Sequence, residues 1–264
     1  MRFLKGHGTE NDFVILPDPD GELDLSASLV ARICDRRAGI GADGVLRVVR
    51  TKQVPEVADQ QAEWFMDYRN ADGSVAEMCG NGVRVFARHL SETGQASGRA
   101  FGVATRAGVR EVTLHDDGEV TVDMGAVRTY GAGTATMAGR RYDGLVVNVG
   151  NPHLACVITD PVAGLDLSSP PEFDAGVFPA GANLELLRHL GEAHVEMRVY
   201  ERGSAETRSC GTGTVAAAVA ASGGTPGTWR VDVPGGTVHV TLTDRSTYLR
   251  GPAILVAEGD YRPH

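Results

Sequence analysis

The sequence predicts an α+β fold built from two related halves. Three observations predict it. Strand-like segments far outnumber helices and do not alternate regularly with them, which argues against a βαβ chain. Two helix-like runs open on the same device, Met78-Cys79-Gly80-Asn81-Gly82-Val83 and Ser209-Cys210-Gly211-Thr212-Gly213-Thr214. The echo extends upstream, where Gly73-Ser74 and Gly203-Ser204 precede the cysteines and follow the apolar strands around Trp64–Tyr68 and Val195–Tyr200.

In chain order, Met1 to Leu4 reads as a strand, His7 to Asp12 as a polar loop and Phe13 to Leu16 as a second strand. Ser26 is placed to cap a helix over Leu29 to Arg36. The glycine-rich loop Gly39 to Gly44 leads to a strand over Val45 to Arg50, and Thr51 to Gln61 reads as a surface excursion. The first key helix is expected from Gly80 to about Leu90. Short strands follow at Phe101–Thr105, Val109–Leu114 and Glu119–Met124, with Asp116-Asp117-Gly118 as a hairpin signal. Gly125 to Gly139, rich in Gly, Ala and Thr, is the best boundary between halves. Beyond it come strands near Gly144–Val149, Leu154–Ile158, Leu184–Leu187 and Val195–Tyr200. The second key helix covers about Thr212 to Ala221, and strands near Thr228–Val233, Gly236–Leu242 and Ala253–Glu258 close the chain.

A net charge of -9 argues against a nucleic-acid partner. No long apolar run suggests a signal peptide or membrane span, and four cysteines without a CxxC pattern suggest reduced thiols in the cytoplasm.

The chemistry rests on Cys79 and Cys210. A cysteine ahead of a helix has its sulfur beside unpaired N–H groups and the positive end of the dipole, which favours thiolate. Two such thiols form an acid/base pair able to invert a stereogenic carbon, one removing a proton and the other returning one to the opposite face. Two helix N-termini would hold the carboxylate on the reacting carbon. A redox disulfide, a covalent cysteine nucleophile with His153 or His7 as base, metal binding and purely structural cysteines remain open alternatives at this point. No cofactor motif and no short metal-ligand spacing is present.

These motifs resemble those of the diaminopimelate epimerase family along essentially the whole chain. The matching segments are Gly8–Phe13, Gly39–Gly44, Asn70–Ser74, Met78–Gly82, Gly150–His153, Gly181–Asn183, Glu201–Gly203 and Cys210–Gly213. The resemblance implies two similar domains related by pseudo-symmetry. Each is a curved, mostly antiparallel sheet around a central helix, with the substrate in the cleft between them. It places the first domain at residues 1–124, with 251–264 returning to it, and the second at 125–250. It implies Cys79 and Cys210 as catalytic bases. Asn11, Asn70, Asn151, Asn183 and Arg202 become substrate ligands, and Gly80, Asn81, Gly211 and Thr212 donors to the reacting carboxylate. Glu201 and His153 would position or tune the centre. The implied substrate is a dicarboxylic diamino acid, with no cofactor, no metal, no nucleic-acid or membrane partner, and a homodimer as the candidate assembly. Proline racemase and phenazine-type isomerase are related classes. The former carries histidine where this chain has Asn81, and the latter lacks the cysteine pair. One departure is plain: many family members carry glutamine after the aspartate of the Gly-x-Gly-x-Asp loop, where this chain has Gly44.

Overall fold

The structure, a computed structural model, describes residues 1–262. Its elements in order are β1 (Arg2–Gly8), β2 (Asn11–Pro17), α1 (Ala27–Cys34), β3 (Gly44–Arg50), β4 (Trp64–Asn70), α2 (Gly80–Glu92), β5 (Ala100–Val103), β6 (Arg110–Leu114) and β7 (Glu119–Gly125). There follow β8 (Arg128–Met137), β9 (Arg140–Asn148), β10 (Pro152–Val157), β11 (Glu172–Phe173), β12 (Asn183–Gly191), β13 (His194–Glu201) and β14 (Ala205–Thr207). The chain ends with α3 (Gly211–Ser222), β15 (Gly227–Val233), β16 (Gly236–Leu242), β17 (Thr247–Pro252) and β18 (Ile254–Asp260). The chain divides into two compact units, Met1–Val122 with the chain from Pro252 onward, and Asp123–Gly251.

In the first unit the strand order β18-β1-β2-β3-β4 forms one sheet, antiparallel except where β2 runs parallel to β3. β5, β6 and β7 pair antiparallel. α2 is buried from Gly80 to Ala87 and packs on β1 and β2. Its C-terminus is held by the Thr93 hydroxyl, which donates to the His89 carbonyl at 2.7 Å. The Trp64 indole donates to Gln95 just beyond it at 3.0 Å. α1 is capped by Ser26, whose hydroxyl accepts from the Leu29 amide.

In the second unit the order is β11-β8-β9-β10-β12-β13-β15-β16-β17, with β14 added on β13. It is antiparallel except for β10 beside β12 and β13 beside β15. α3 is apolar on all sides and buried from Gly211 to Val219, as a helix enclosed by a sheet must be. Gly223, at φ 61, ends it in a left-handed cap.

Several expectations need correction. Residues 7–12 are not a loop. β1 and β2 continue to Gly8 and Asn11, and only Thr9 and Glu10 turn the hairpin. The Gly/Ala/Thr-rich passage, for which no strand was expected, is mostly β8. α1 begins two residues earlier than expected, at Ala27. β17 was not anticipated, and Leu184–Leu187 is part of the nine-residue β12. No helix among the described residues is long and apolar enough to cross a membrane.

One core residue makes a stability prediction. His89 on α2 is 1% exposed, and among the described residues neither ring nitrogen has a hydrogen-bond partner. Burial, with Arg2 adding to it, lowers its pKa from 6.5 to about 4. Below pH 6.5 the unfolded chain takes up a proton that the native chain refuses. Stability is therefore lost as pH falls from 6.5 to about 4, by on the order of 3 kcal/mol. Urea unfolding of His89→Leu near neutral pH and near pH 4 should show that this component has gone. A variant with the wild-type acid loss would assign it to carboxylates instead.

Candidate active-site residues in each unit

Both key cysteines occupy the N-cap of a buried helix in extended backbone, Cys79 at φ -143, ψ 117 and Cys210 at φ -121, ψ 115. In each case the sulfur accepts the amide N–H three residues on, Gly82 for Cys79 and Gly213 for Cys210, both at 3.4 Å. Serine and threonine caps use their oxygen in the same way. The glycines keep this approach open. A Cβ on Gly213 would lie 3.3 Å from the Cys210 sulfur and 2.8 Å from Glu185 Oε1.

In the first unit the β1–β2 hairpin brings Asn11 to α2. Asn11 Oδ1 accepts from Asn81 Nδ2 at 3.2 Å and lies 3.7 Å from Cys79 Sγ. Asn11 Nδ2 donates to Asp43 Oδ2 at 2.8 Å, which fixes the amide's orientation. Burial raises the Asp43 carboxyl. Asp12, beside it, is held well below the ordinary range by Arg36 and Lys5, which outweigh its own desolvation. Thr9 and Glu10 stand at φ 51 and 59, a turn that β-hairpins normally give to glycine or asparagine. Two non-glycine residues there mark local strain held by surrounding contacts. Asn70, at the end of β4, donates to Ser74 Oγ at 2.9 Å and stands outside the Asn11–Asn81 hydrogen bonds.

Gly44 opens β3, and a Cβ there would lie 2.5 Å from the Arg69 carbonyl and 2.7 Å from the Tyr68 ring. The backbone around Gly44 leaves no room for a side chain.

In the second unit one hydrogen-bonded chain joins most of the expected residues. Thr212 Oγ1 lies 3.5 Å from Cys210 Sγ and accepts from Asn151 Nδ2 at 3.3 Å. Asn151 Oδ1 accepts from His153 Nε2 at 2.9 Å. His153 Nδ1 lies 2.7 Å from Glu185 Oε1, so one proton is held between imidazole and carboxyl. Asn183 Oδ1 accepts the Arg202 backbone N–H at 2.9 Å. The Arg202 guanidinium is exposed and donates to the Ala180 carbonyl at 3.3 Å. Thr207 donates to Glu201 Oε1. Burial raises both Glu201 and Glu185, and burial together with these two acids pushes the Cys210 thiol well above its ordinary pKa.

Sequence reasoning missed Glu185, Arg84 and Thr9. The signal for Glu185 was an acid in the apolar run Leu184-Glu185-Leu186-Leu187, and for Arg84 a base in Val83-Arg84-Val85-Phe86. Both side chains are fully buried. The surroundings of the two cysteines differ. Cys210 sits beside the acids Glu185, which is fully buried, and Glu201, whereas the fully buried charge on Cys79's own helix is the cation Arg84. Among the described residues, no group of three His, Cys, Asp or Glu side chains is placed to hold a metal ion.

Comparison with known proteins gives a consistent result. The diaminopimelate epimerase family matches residues 3–130 and 145–256. The chain is 62% identical to the diaminopimelate epimerase of Thermobifida fusca, over 99% of this chain and 98% of that protein. It is 54% identical to that of Mycolicibacterium smegmatis, over 100% of this chain and 98% of the other. Among solved structures, a phenazine biosynthesis protein of the PhzF family from Enterococcus faecalis aligns with a TM-score of 0.68 at 11% identity, covering 99% of both chains. A hydroxyproline epimerase from Agrobacterium vitis aligns with a TM-score of 0.67 at 15% identity, covering 98% of this chain and 91% of the other. These two likenesses establish a shared α+β fold.

Proposed function

This chain belongs to the diaminopimelate epimerase family, an isomerase family, and from that premise we propose that it interconverts L,L- and meso-diaminopimelate with Cys79 and Cys210 as its two bases. The observation that carries the proposal is the repeated cap: each sulfur takes a helix N–H at 3.4 Å, beside the first amides of Gly80-Asn81 or Gly211-Thr212.

In one direction the Cys79 thiolate takes the α-proton. A C–H bond breaks, an S–H bond forms, and the electron pair passes from carbon into the adjacent carboxylate. The Cys210 thiol then gives its proton to the opposite face and becomes thiolate. In the other direction the roles exchange. Helix-terminal N–H groups stabilise the charge that develops on the carboxylate. Asn11, Asn70, Asn151 and Asn183 serve the substrate's fixed ammonium and carboxylate groups, since an amide both donates and accepts. Arg202 takes the distal carboxylate through its guanidinium fork. Glu201 and His153 hold Cys210 and Asn151 in place. The reaction as written needs neither pyridoxal phosphate nor a metal.

Incubating the protein with L,L-diaminopimelate in deuterated water, then separating the stereoisomers, tests this reading. The meso product should carry deuterium at the inverted carbon, and chelator or pyridoxal-phosphate scavenger should leave the rate unchanged. Faster turnover of proline than of diaminopimelate would overturn the substrate assignment.

A further inference from the structure

Arg84 is the largest fully buried side chain in the first unit, at 0% exposure. It lies on α2, five residues after Cys79. Its Nη2 donates to Thr9 Oγ1 and its Nε to the Pro252 carbonyl, each at 3.3 Å. Its Nη1 is buried without a hydrogen-bond partner, and among the described residues it makes no ion pair. Space for it is cut out of the hairpin: a Cβ on Gly8 would lie 2.9 Å from Nη2. A guanidinium so enclosed, held by two neutral oxygens at long distance, is costly unless an anion shares its surroundings.

The strained hairpin ties that cation to the thiol. Thr9 holds Arg84, and Asn11, two residues on, stands beside the Cys79 sulfur, its Oδ1 3.7 Å from Sγ, and accepts from Asn81. The second helix lacks the device. Aligning the two Cys-Gly-x-Gly motifs puts Val215 where Arg84 stands.

We propose that Arg84 is a positioning residue whose buried charge is the counter-ion of the Cys79 thiolate, so that the resting enzyme holds its thiolate on Cys79 and its proton on Cys210. The proposal rests on the reading of these cysteines as the two bases. Burial lowers Arg84 to a pKa of about 10, which leaves it charged at neutral pH, and Cys79 is the strongest anionic influence opposing that fall, ahead of Glu119 on β7. The other charges near Cys79 are already engaged. Asp43 is bonded to Asn11, and Asp12 is neutralised by Lys5 and Arg36. His89, on the same helix, is uncharged at neutral pH. Around Cys210 the charged groups are the acids Glu201 and Glu185, the latter sharing its proton with His153, and they oppose thiolate.

The test is iodoacetamide alkylation of the substrate-free protein across a pH series, with each cysteine followed by its own peptide. In the wild type Cys79 should reach half-maximal reactivity at lower pH than Cys210. Cys34 and Cys156, with pKa values raised to about 11 and about 12 by burial, act as internal references. Arg84→Met should raise the Cys79 midpoint by about 1–3 pH units and leave Cys210 unmoved, while Arg84→Lys should keep the midpoint low. A folded Arg84→Met protein with the wild-type Cys79 midpoint overturns the proposal, as does a wild type in which Cys210 ionises first. The wild-type comparison decides even if the Met variant does not fold. Alkylation reads charge without turnover, so its failure is distinct from a failure to epimerise diaminopimelate.

Discussion

Replacing either Cys79 or Cys210 with alanine is expected to abolish epimerisation of diaminopimelate. Inversion needs a base on one face of the α-carbon and an acid on the other, and neither sulfur can serve both. Each loss should reach the upper end of the roughly 10²–10⁴-fold span of general acid–base catalysis, or exceed it. Both variants should fold, because a cap sulfur at 3.4 Å from an amide contributes little beside a helix buried along most of its length. The wild-type rate should be bell-shaped in pH. On the acid side the thiolate is protonated. On the basic side the remaining thiol is lost, and the raised pKa of Cys210 moves that limb upward. The two limbs belong to the pair and not to either residue. Circular dichroism and initial rates for the two alanine variants check the expectation. An alanine variant that still epimerised near the wild-type rate would remove that cysteine from the mechanism.

The second large effect is expected at Arg202. Its guanidinium is exposed and donates to the Ala180 carbonyl at 3.3 Å, which leaves its fork open to a carboxylate. Its backbone is fixed by Asn183, whose side-chain oxygen takes its N–H at 2.9 Å. Arg202→Met should weaken diaminopimelate binding by about 2–5 kcal/mol, since truncation leaves a substrate carboxylate unpaired. Most of that should appear in KM, and lysine should restore only part of it because it lacks the planar fork. Unchanged KM in Arg202→Met would assign the distal carboxylate to another group.

The parts of the fold legible in the sequence are those whose signals are local. The two helices begin at their cysteines because N-cap, Gly-x-Gly and apolar run coincide there. The asparagines were singled out through the family's motifs, and the structure puts Asn11 beside Cys79 and Asn151 against Thr212, with Asn70 bonded to Ser74 instead. The Thr9–Glu10 turn was not legible, because neither residue favours positive φ; the hydrogen bonds of Glu10 to His7, Thr9 to Arg84 and Asn11 to Asn81 hold it. β8 was hidden by its glycines. At Gly133 the reason is packing, since a Cβ would lie 2.7 Å from Val146, so the glycine that weakens the strand pattern is what lets the strand lie against its neighbours. Glu185 and Arg84 were hidden for a related reason. Each is a charged residue inside an apolar run, and its importance depends on partners far away in sequence, His153 for one and Thr9 and Pro252 for the other.

The central claim is that each sulfur serves one face of the α-carbon. Cys210→Ala leaves only Cys79 as base, and Cys79→Ala leaves only Cys210. The most direct measurement is exchange of the α-hydrogen with deuterated water, followed for L,L- and meso-diaminopimelate with each variant. The account predicts that each variant exchanges one epimer, with retention, and that the two variants choose opposite epimers. Equal exchange of the same epimer by both would contradict it.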